Sequence, residues 1–331
     1  MNRAVNKSYS IDNLPPLIVG GAVFNYQYSS NPQALPIESL LKRAFDCGYN
    51  AIDTSPYYGP LEELLGEALL KLGYPRDSYY ICTKAGRVKL DEFDYSRALV
   101  RQSVYRSLKR LNTDYLDLVY MHDIEFQTAQ AVIDALRELQ ELKKEGKVRN
   151  IGVSGYPVSF LLDIALKWKE VNNGEPLDAV LSYSNGCLQN RILFDYYERF
   201  KSEAGVKKVL NGSILSMSLL RSAKTHDFHP ASSELKQRVY EIASELKSKD
   251  GENDGVELAE LATKYAIAEW LIKYKESIVL GVSNVEELNL AIDVHENLQK
   301  TGLTSEDKKL IDKVQHDLGK HMNETWPSGL H

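Results

Sequence analysis

The chain of 331 residues has 46 acidic and 40 basic side chains, a formal net charge of −6, and 43% hydrophobic residues. The acidic balance without a basic block argues against nucleic acid or an anionic membrane as the main partner. The first 17 residues hold no apolar run long enough for a signal peptide, and no run reaches the roughly 18 residues of a membrane span. Scattered cysteines, Cys47, Cys82 and Cys187, are typical of a reducing compartment, so we expect a cytoplasmic protein.

Segments typical of strands and of helices alternate along the chain. Short apolar runs predict eight strands, at 17–23, 51–52, 79–83, 115–121, 148–153, 179–183, 208–210 and 278–282. Apolar residues at helical spacing predict helices at 37–45, 61–72, 96–111, 130–144, 158–170, 189–203, 232–248, 256–272, 285–299 and 305–319.

This alternation predicts an α/β protein with a parallel sheet. Eight units close naturally into a (β/α)8 TIM barrel, with its site at the carboxyl ends of the strands. A doubly wound open sheet is the alternative, but no GxGxxG motif follows the first strand. We expect one domain over residues 1–331, with the barrel core at about 17–298 and a C-terminal helix and tail at 304–331.

Four chemically active side chains follow consecutive predicted strands. Asp53 and Tyr58 follow the second strand, Lys84 the third and His122 the fourth. A lysine after a strand is usually a solvated exit, and a lone histidine is usually a satisfied polar residue. An unpaired charge beside an apolar run is costly, however, so we expect these groups to be partners of one another. Together they indicate an active site.

The segments DTSPYYG (53–59) and TK (83–84), with His122 after a strand, resemble the signature of the aldo-keto reductase family. That family consists of (β/α)8 barrels that move hydride between a nicotinamide cofactor and a carbonyl or alcohol. Segments 121–126 and 213–220 resemble its sugar 1-dehydrogenase branch. The resemblance implies oxidation of an aldose at C1 to a lactone, with D-arabinose first and L-galactose and L-fucose next. An aldehyde or pyridoxal reductase and a cofactor-bound regulatory subunit remain alternatives.

The chemistry of the four side chains suggests a role for each. Oxidising an alcohol needs a base for the proton and, because no side chain accepts hydride, a cofactor. Tyr58 is the predicted general base and acid; a free phenol has a pKa near 10, which the ammonium of Lys84 would lower. Asp53 would hold Lys84 charged and oriented. His122 would hydrogen-bond the substrate oxygen, as a neutral imidazole or as a proton relay.

The resemblance also implies which residues bind the cofactor. They are Gly21, Asp53, Ser154, Ser213, Leu215, Ser218, Gly281, Ser283, Asn284 and Glu287. Of these, Ser154 matches the serine that binds the nicotinamide amide. Three neighbouring positions depart from the family pattern: Gly155, Leu181 and Gly212 stand where an asparagine, a glutamine and an aromatic residue are common.

NAD is expected in preference to NADP. In NADP-dependent members a lysine and an arginine bind the 2′-phosphate, and those positions fall here on Gly281 and Glu287. The carboxylate of Glu287 would repel a phosphate and could accept the ribose 2′-hydroxyl of NAD. A plain solvated carboxylate is the alternative, and a neighbouring lysine could still allow NADP to bind.

His122, Tyr58 and Asp123 are the predicted substrate-binding residues, and Glu125 is a further candidate acceptor for sugar hydroxyls. The alternative is that Asp123 or Glu125 caps the next helix. Trp326 lies in an aperiodic tail that could fold over the barrel mouth, and it is a candidate apolar wall for the sugar.

No metal site is predicted. The pair His226 and His229 has HxxH spacing, but it lies in a polar loop without a nearby cysteine or acidic cluster. The expected partner is a small sugar, and we expect a monomer or a weak homo-oligomer.

Overall fold

The computed structural model describes residues 10–248 and 255–330. Within these residues, eight parallel strands follow one another around a closed barrel. They are β1 (Leu17–Gly20), β2 (Ala51–Asp53), β3 (Tyr80–Ala85), β4 (Leu116–His122), β5 (Val148–Gly155), β6 (Ala179–Tyr183), β7 (Lys208–Gly212) and β8 (Ile278–Gly281). The barrel closes where β8 pairs with β1, from Leu17 opposite Ile278 to Gly20 opposite Gly281. The predicted (β/α)8 barrel is confirmed.

Helices surround the barrel in the described part of the chain. They are α1 (Ile37–Asp46), α2 (Leu61–Leu72), α3 (Arg97–Arg110), α4 (Ala129–Lys144), α5 (Val158–Val171), α6 (Ile192–Ser202), α7 (Ser233–Lys247), α8 (Leu258–Ala266), α9 (Val285–Thr301) and α10 (Ser305–Leu318). Local signals fix several of their ends. Thr128 caps α4 through its side chain, and Thr304 and Asp307 form a reciprocal capping box at α10. Gly73 ends α2 in the left-handed conformation.

Several boundaries differ from the predictions. Asp53 and His122, which were expected after their strands, are the last residues of β2 and β4. β1 ends at Gly20 and a short 3-10 helix, Ala22–Phe24, follows it, because Gly21 adopts the αR conformation and its carbonyl accepts the Phe24 N–H at 3.0 Å. β3 continues to Ala85, so Lys84 lies on the strand and not after it. α8 continues as a π-helical segment, Ile267–Ile272.

Apolar side chains form two layers, because successive residues of a strand face opposite sides of the sheet. Along β3, Tyr80 and Cys82 belong to a buried cluster inside the barrel, whereas Ile81 belongs to the larger cluster between strands and helices. The same alternation directs the side chain of Lys84, two residues beyond Cys82, towards the barrel axis. The carboxyl ends of the strands therefore present inward-facing polar groups around one opening.

Candidate active site

One cleft at the carboxyl ends of the strands contains most of the predicted site residues. Its lining includes Asp53, Tyr58, Lys84, His122, Asp123, Ser154, Ser213, Leu215, Ser218 and Gly281. They lie on β2, β3, β4, β5 and β8 or in the loops that follow β2, β4 and β7, and residues far apart in the chain thus meet at one opening. Gly21, Ser283, Asn284 and Glu287 are not part of this lining.

Lys84 and Asp53 form a buried ion pair at the bottom of the cleft. Lys84 Nζ lies 2.5 Å from Asp53 Oδ1 and donates a second hydrogen bond to the Thr54 carbonyl at 2.9 Å. Burial by itself would lower the pKa of Lys84, but the neighbouring Asp53 and Tyr58 raise it above its usual value. Lys84 is therefore a fixed positive charge at neutral pH.

The phenol of Tyr58 lies beside this charge, with Lys84 Nζ 4.9 Å from the ring centroid. Burial raises the pKa of Tyr58 to about 12, and Lys84 offsets only part of that rise. Lys84 lowers the pKa of Tyr58 as predicted, but the net pKa is raised, because the cost of burying a phenolate exceeds the stabilisation by one cation. Tyr58 is a protonated phenol at neutral pH, and Lys84 reduces the cost of its losing the proton.

His122 ends β4 and faces Tyr58, with the ring centroids 5.8 Å apart and the ring planes nearly perpendicular. Burial lowers the pKa of His122 well below its usual value, and the positive charges of Lys84 and Arg87 add to this effect. Of the two states considered from sequence, the neutral imidazole is therefore the one that this environment favours.

Ser55 orients the imidazole, a role that the sequence analysis missed. His122 Nδ1 lies 3.1 Å from Ser55 Oγ, and the same Oγ accepts the Tyr57 N–H at 3.1 Å. The Ser55 hydroxyl can donate its own proton to Nδ1. In that arrangement the ring proton lies on Nε2, where the imidazole can donate to a substrate oxygen.

Arg87 is a second residue that sequence reasoning missed. Its Nη1 lies 2.5 Å from Asp123 Oδ2, its guanidinium carbon lies 4.0 Å from the Tyr57 ring centroid, and all three residues line the cleft. The Asp123 side chain makes no capping hydrogen bond, so the capping alternative is wrong for this residue. The only available signal was a charged residue three positions after Lys84.

The loop after β7 forms another wall of the cleft and has unusual backbone geometry. Ser213, Ser216, Met217 and Ser218 all have positive φ, at 54°, 49°, 51° and 69°. The Met217 N–H donates to Ser213 Oγ at 2.8 Å, which helps to hold the turn. Such strain costs of order 1–3 kcal/mol per residue and is typical of sites where backbone and side chains must meet a ligand.

The lining of the cleft fits a dinucleotide. Gly20 and Gly281 are part of the lining. A Cβ at Gly281 would lie 3.0 Å from Val23 Cγ1, which also lines the cleft, so a larger residue at this position would fill space between them. Hydroxyl groups of Ser154, Ser213 and Ser218 offer hydrogen bonds along it.

Leu181 and Gly212 line the same cleft as neighbours, because a Cβ at Gly212 would lie 3.3 Å from Leu181 Cδ1. The apolar surface at this point is therefore formed by Leu181.

Similarity to known proteins agrees with this geometry. The sequence profile described as "Aldo/keto reductase family" matches residues 16–316. The chain belongs to the aldo-keto reductase family. This aldo-keto reductase is 48% identical to D-arabinose 1-dehydrogenase of Saccharomyces cerevisiae, over 100% of this chain and 98% of that protein. It is 36% identical to L-galactose dehydrogenase of Arabidopsis thaliana, over 88% of this chain and 87% of that protein.

Among solved structures, the holo form of an aldo-keto reductase from Bacillus halodurans has a TM-score of 0.63 at 21% identity, over 90% of this chain and 91% of that one. At this identity the likeness supports the fold. Family membership makes the protein an oxidoreductase of a family that uses nicotinamide cofactors.

In this aldo-keto reductase, three of the predicted cofactor-binding residues, Ser283, Asn284 and Glu287, lie beyond β8. Glu287 Oε2 accepts the N–H and the hydroxyl of Ser283, at 2.7 and 3.0 Å, and Asn284 Oδ1 accepts the Glu287 N–H at 2.8 Å. These bonds cap α9, and Glu287 is exposed. Gly21 instead lies beneath the cleft beside Leu61, in a small apolar cavity. The cofactor roles of these four residues stay predictions.

Two predicted sugar contacts are wrong. Glu125 is fully buried, and Trp326 is 7% exposed; neither lines the cleft. Trp326 stacks on Tyr156 with the ring centroids 4.5 Å apart, so its apolar face is already covered. The tail nevertheless docks beside the barrel mouth, since the Leu330 N–H donates to the Glu125 carbonyl at 2.7 Å.

His226 and His229 have separate partners. The His229 ring contacts the Ser216 carbonyl at 2.9 Å, whereas the His226 ring stacks on Phe228 and lies 2.9 Å from Arg221 Nη2. Across residues 10–248 and 255–330, no cluster of three or more His, Cys, Asp or Glu side chains is placed to hold a metal ion. No helix within the same residues combines the length and the apolar content that a membrane crossing requires.

Proposed function

We propose that this enzyme oxidises the ring form of an aldose at C1 to its lactone, with NAD as the hydride acceptor. D-Arabinose is the preferred substrate, with L-galactose and L-fucose next. The observation that carries the proposal is 48% identity to D-arabinose 1-dehydrogenase along the whole chain. Identity to an L-galactose dehydrogenase supports the wider sugar range.

The charge balance of the cleft supports a neutral, hydroxyl-rich substrate. Lys84 is paired with Asp53 and Arg87 with Asp123, so the four charges near His122 cancel in pairs. Neither pair leaves a net charge to attract an ionic substrate, while the polar atoms of Arg87 and Asp123 suit sugar hydroxyls.

The proton steps follow from the side chains. His122 Nε2–H holds the C1 oxygen, and Tyr58 takes the hydroxyl proton as the C1–H bond breaks. Lys84 stabilises the phenolate that precedes this step, and Asp53 keeps Lys84 charged in a site that would otherwise lower its pKa. A bound nicotinamide supplies the hydride acceptor, because no side chain can do so.

The preference for NAD rests on charge at the end of β8. Gly281 lacks a side chain, and Glu287 adds a carboxylate in the first turn of α9. A 2′-phosphate would meet this negative charge and would gain no forked cation from either position.

A panel of aldoses, aliphatic aldehydes and pyridoxal, assayed with NAD and NADP, tests the proposal. We expect the highest kcat/KM with NAD and D-arabinose, a lactone product by mass spectrometry, and loss of turnover in Tyr58→Phe. Preference for the aldehydes or pyridoxal would refute the sugar proposal. Cofactor binding without turnover of any compound would instead favour a regulatory subunit.

A further inference from the structure

Glu125 is a buried carboxyl that the proposed chemistry does not use. It lies in a short 3-10 helix, Ile124–Phe126, directly after β4, and its side chain is fully buried. Oε1 accepts the Tyr156 N–H at 3.1 Å, the Ser328 hydroxyl at 3.1 Å and the Tyr183 hydroxyl at 3.5 Å. A buried carboxyl with three donors from three separate parts of the chain connects those parts.

Two glycines make room for this residue. A Cβ at Gly155 would collide with Glu125 Oε2, and a Cβ at Gly329 would collide with the Glu125 backbone carbonyl. Gly329 also has a φ of 69°, which other residues rarely adopt. The strand end at Gly155 and the C-terminal segment 328–330 are thus both shaped to fit Glu125.

Tyr183 connects this cluster to the cleft. Its side chain lines the cleft together with Arg87 and Asp123, while its hydroxyl reaches Glu125 from the other side. The ring of Tyr156 lies between two other rings. Its centroid is 5.5 Å from that of Tyr183 and 4.5 Å from that of Trp326 in the tail. The tail therefore reaches Tyr183 by two routes. Ser328 donates to the same Glu125 oxygen that Tyr183 contacts, and Trp326 stacks on Tyr156, whose ring packs at a tilt against Tyr183.

We propose that Glu125 is a positioning residue that holds the C-terminal segment 328–330 and Tyr183 together, and thereby shapes the substrate end of the cleft without touching the substrate. This rests on the proposed function only for the identity of the substrate. Ser213, Ser218 and Gly281, which are predicted cofactor contacts, lie on the loop after β7 and on β8, outside the Glu125 cluster.

Hydrogen exchange of the C-terminal peptide 322–330 tests the docking without any substrate. Burial raises the pKa of Glu125 to about 8, so the carboxyl is neutral at pH 7. In Glu125→Ala we expect this peptide to exchange roughly tenfold faster, which corresponds to the net loss of about one hydrogen bond. Glu125→Gln, which keeps an acceptor oxygen, should restore most of the protection. Glu138→Ala removes another buried carboxyl, on α4, and should leave the peptide unchanged. Equal exchange in Glu125→Ala and wild type would overturn the docking role.

Steady-state kinetics test the effect on the cleft, with whichever compound of the panel is turned over best. In Glu125→Ala we expect KM to rise roughly tenfold, kcat to change less, and cofactor affinity by fluorescence titration to stay unchanged. Faster exchange of the tail with an unchanged KM would overturn the coupling to the cleft. If no sugar is oxidised, the proposed function fails while the exchange result still decides the role of Glu125.

A double-mutant cycle tests the direct contact. Gly155→Ala should speed exchange of the C-terminal peptide in the wild-type background, because its methyl group displaces the Glu125 carboxyl. In the Glu125→Ala background the same substitution should have little further effect. Additive effects of the two substitutions would contradict a shared contact.

Discussion

Lys84→Met should destabilise the protein far more than removal of an exposed lysine does. Lys84 and Asp53 are 2% and 4% exposed, their charged atoms are 2.5 Å apart, and Asp53 Oδ2 has no hydrogen-bond partner. Without Lys84, Asp53 would be a buried carboxylate that has lost its counter-ion. Breaking a buried pair in this way costs about 3–5 kcal/mol. Because a protonated carboxyl tolerates burial better, the loss should shrink as the pH falls towards about 4.

Urea unfolding, extrapolated to water, measures the free energy of unfolding for each variant. The matched control is Lys71→Met, because the Lys71–Glu38 pair has the same 2.5 Å separation but side chains that are 71% and 45% exposed, and little change is expected there. Adding Asp53→Asn to Lys84→Met should recover much of the loss. A cost for Lys84→Met no larger than that for Lys71→Met would refute the reasoning.

Three further outcomes follow from the site. Tyr58→Phe should lower kcat by about 10²–10⁴ while leaving cofactor affinity intact, and near-normal turnover would exclude Tyr58 as the proton carrier. Burial raises the pKa of Tyr58 to about 12, so the fraction of phenolate increases with pH below that value. We therefore expect kcat for oxidation to increase between about pH 7 and pH 10. A kcat that does not change with pH would contradict a rate-limiting proton transfer to Tyr58. Glu287→Arg should raise kcat/KM with NADP relative to NAD, with Glu286→Arg as the matched control; a wild type that prefers NADP, or equal effects of the two substitutions, would show that Glu287 does not discriminate at the ribose.

The barrel, and the group of polar side chains at the ends of β2, β3 and β4, could be predicted because both depend on local sequence patterns. An apolar run followed by Asp53, Lys84 or His122 is visible in the sequence, and in a closed parallel barrel every strand end points to the same opening. The boundary at Gly20 was less predictable, since it depends on the αR turn at Gly21 within an otherwise apolar run.

Contacts between distant loops could not be predicted in the same way. The pairing of Arg87 with Asp123, and the burial of Glu125 against the tail, depend on where loops meet in space. Trp326 was a candidate for packing against the sugar substrate. An indole ring can pack against any large apolar surface, and in this structure it stacks on the ring of Tyr156. The net pKa of Tyr58 also depends on its degree of burial, which a list of neighbouring charges does not give.

The pairing of β1 with β8 has a consequence for how the chain reaches its native state. β1, at 17–20, is synthesised before the other strands of the barrel, whereas its partner β8, at 278–281, is synthesised after them. Until then the nascent sheet has two unpaired edges, at β1 and at the most recently completed strand, and such edges can pair with other chains. Complete protection from aggregation during translation is therefore reached only after the last barrel unit emerges.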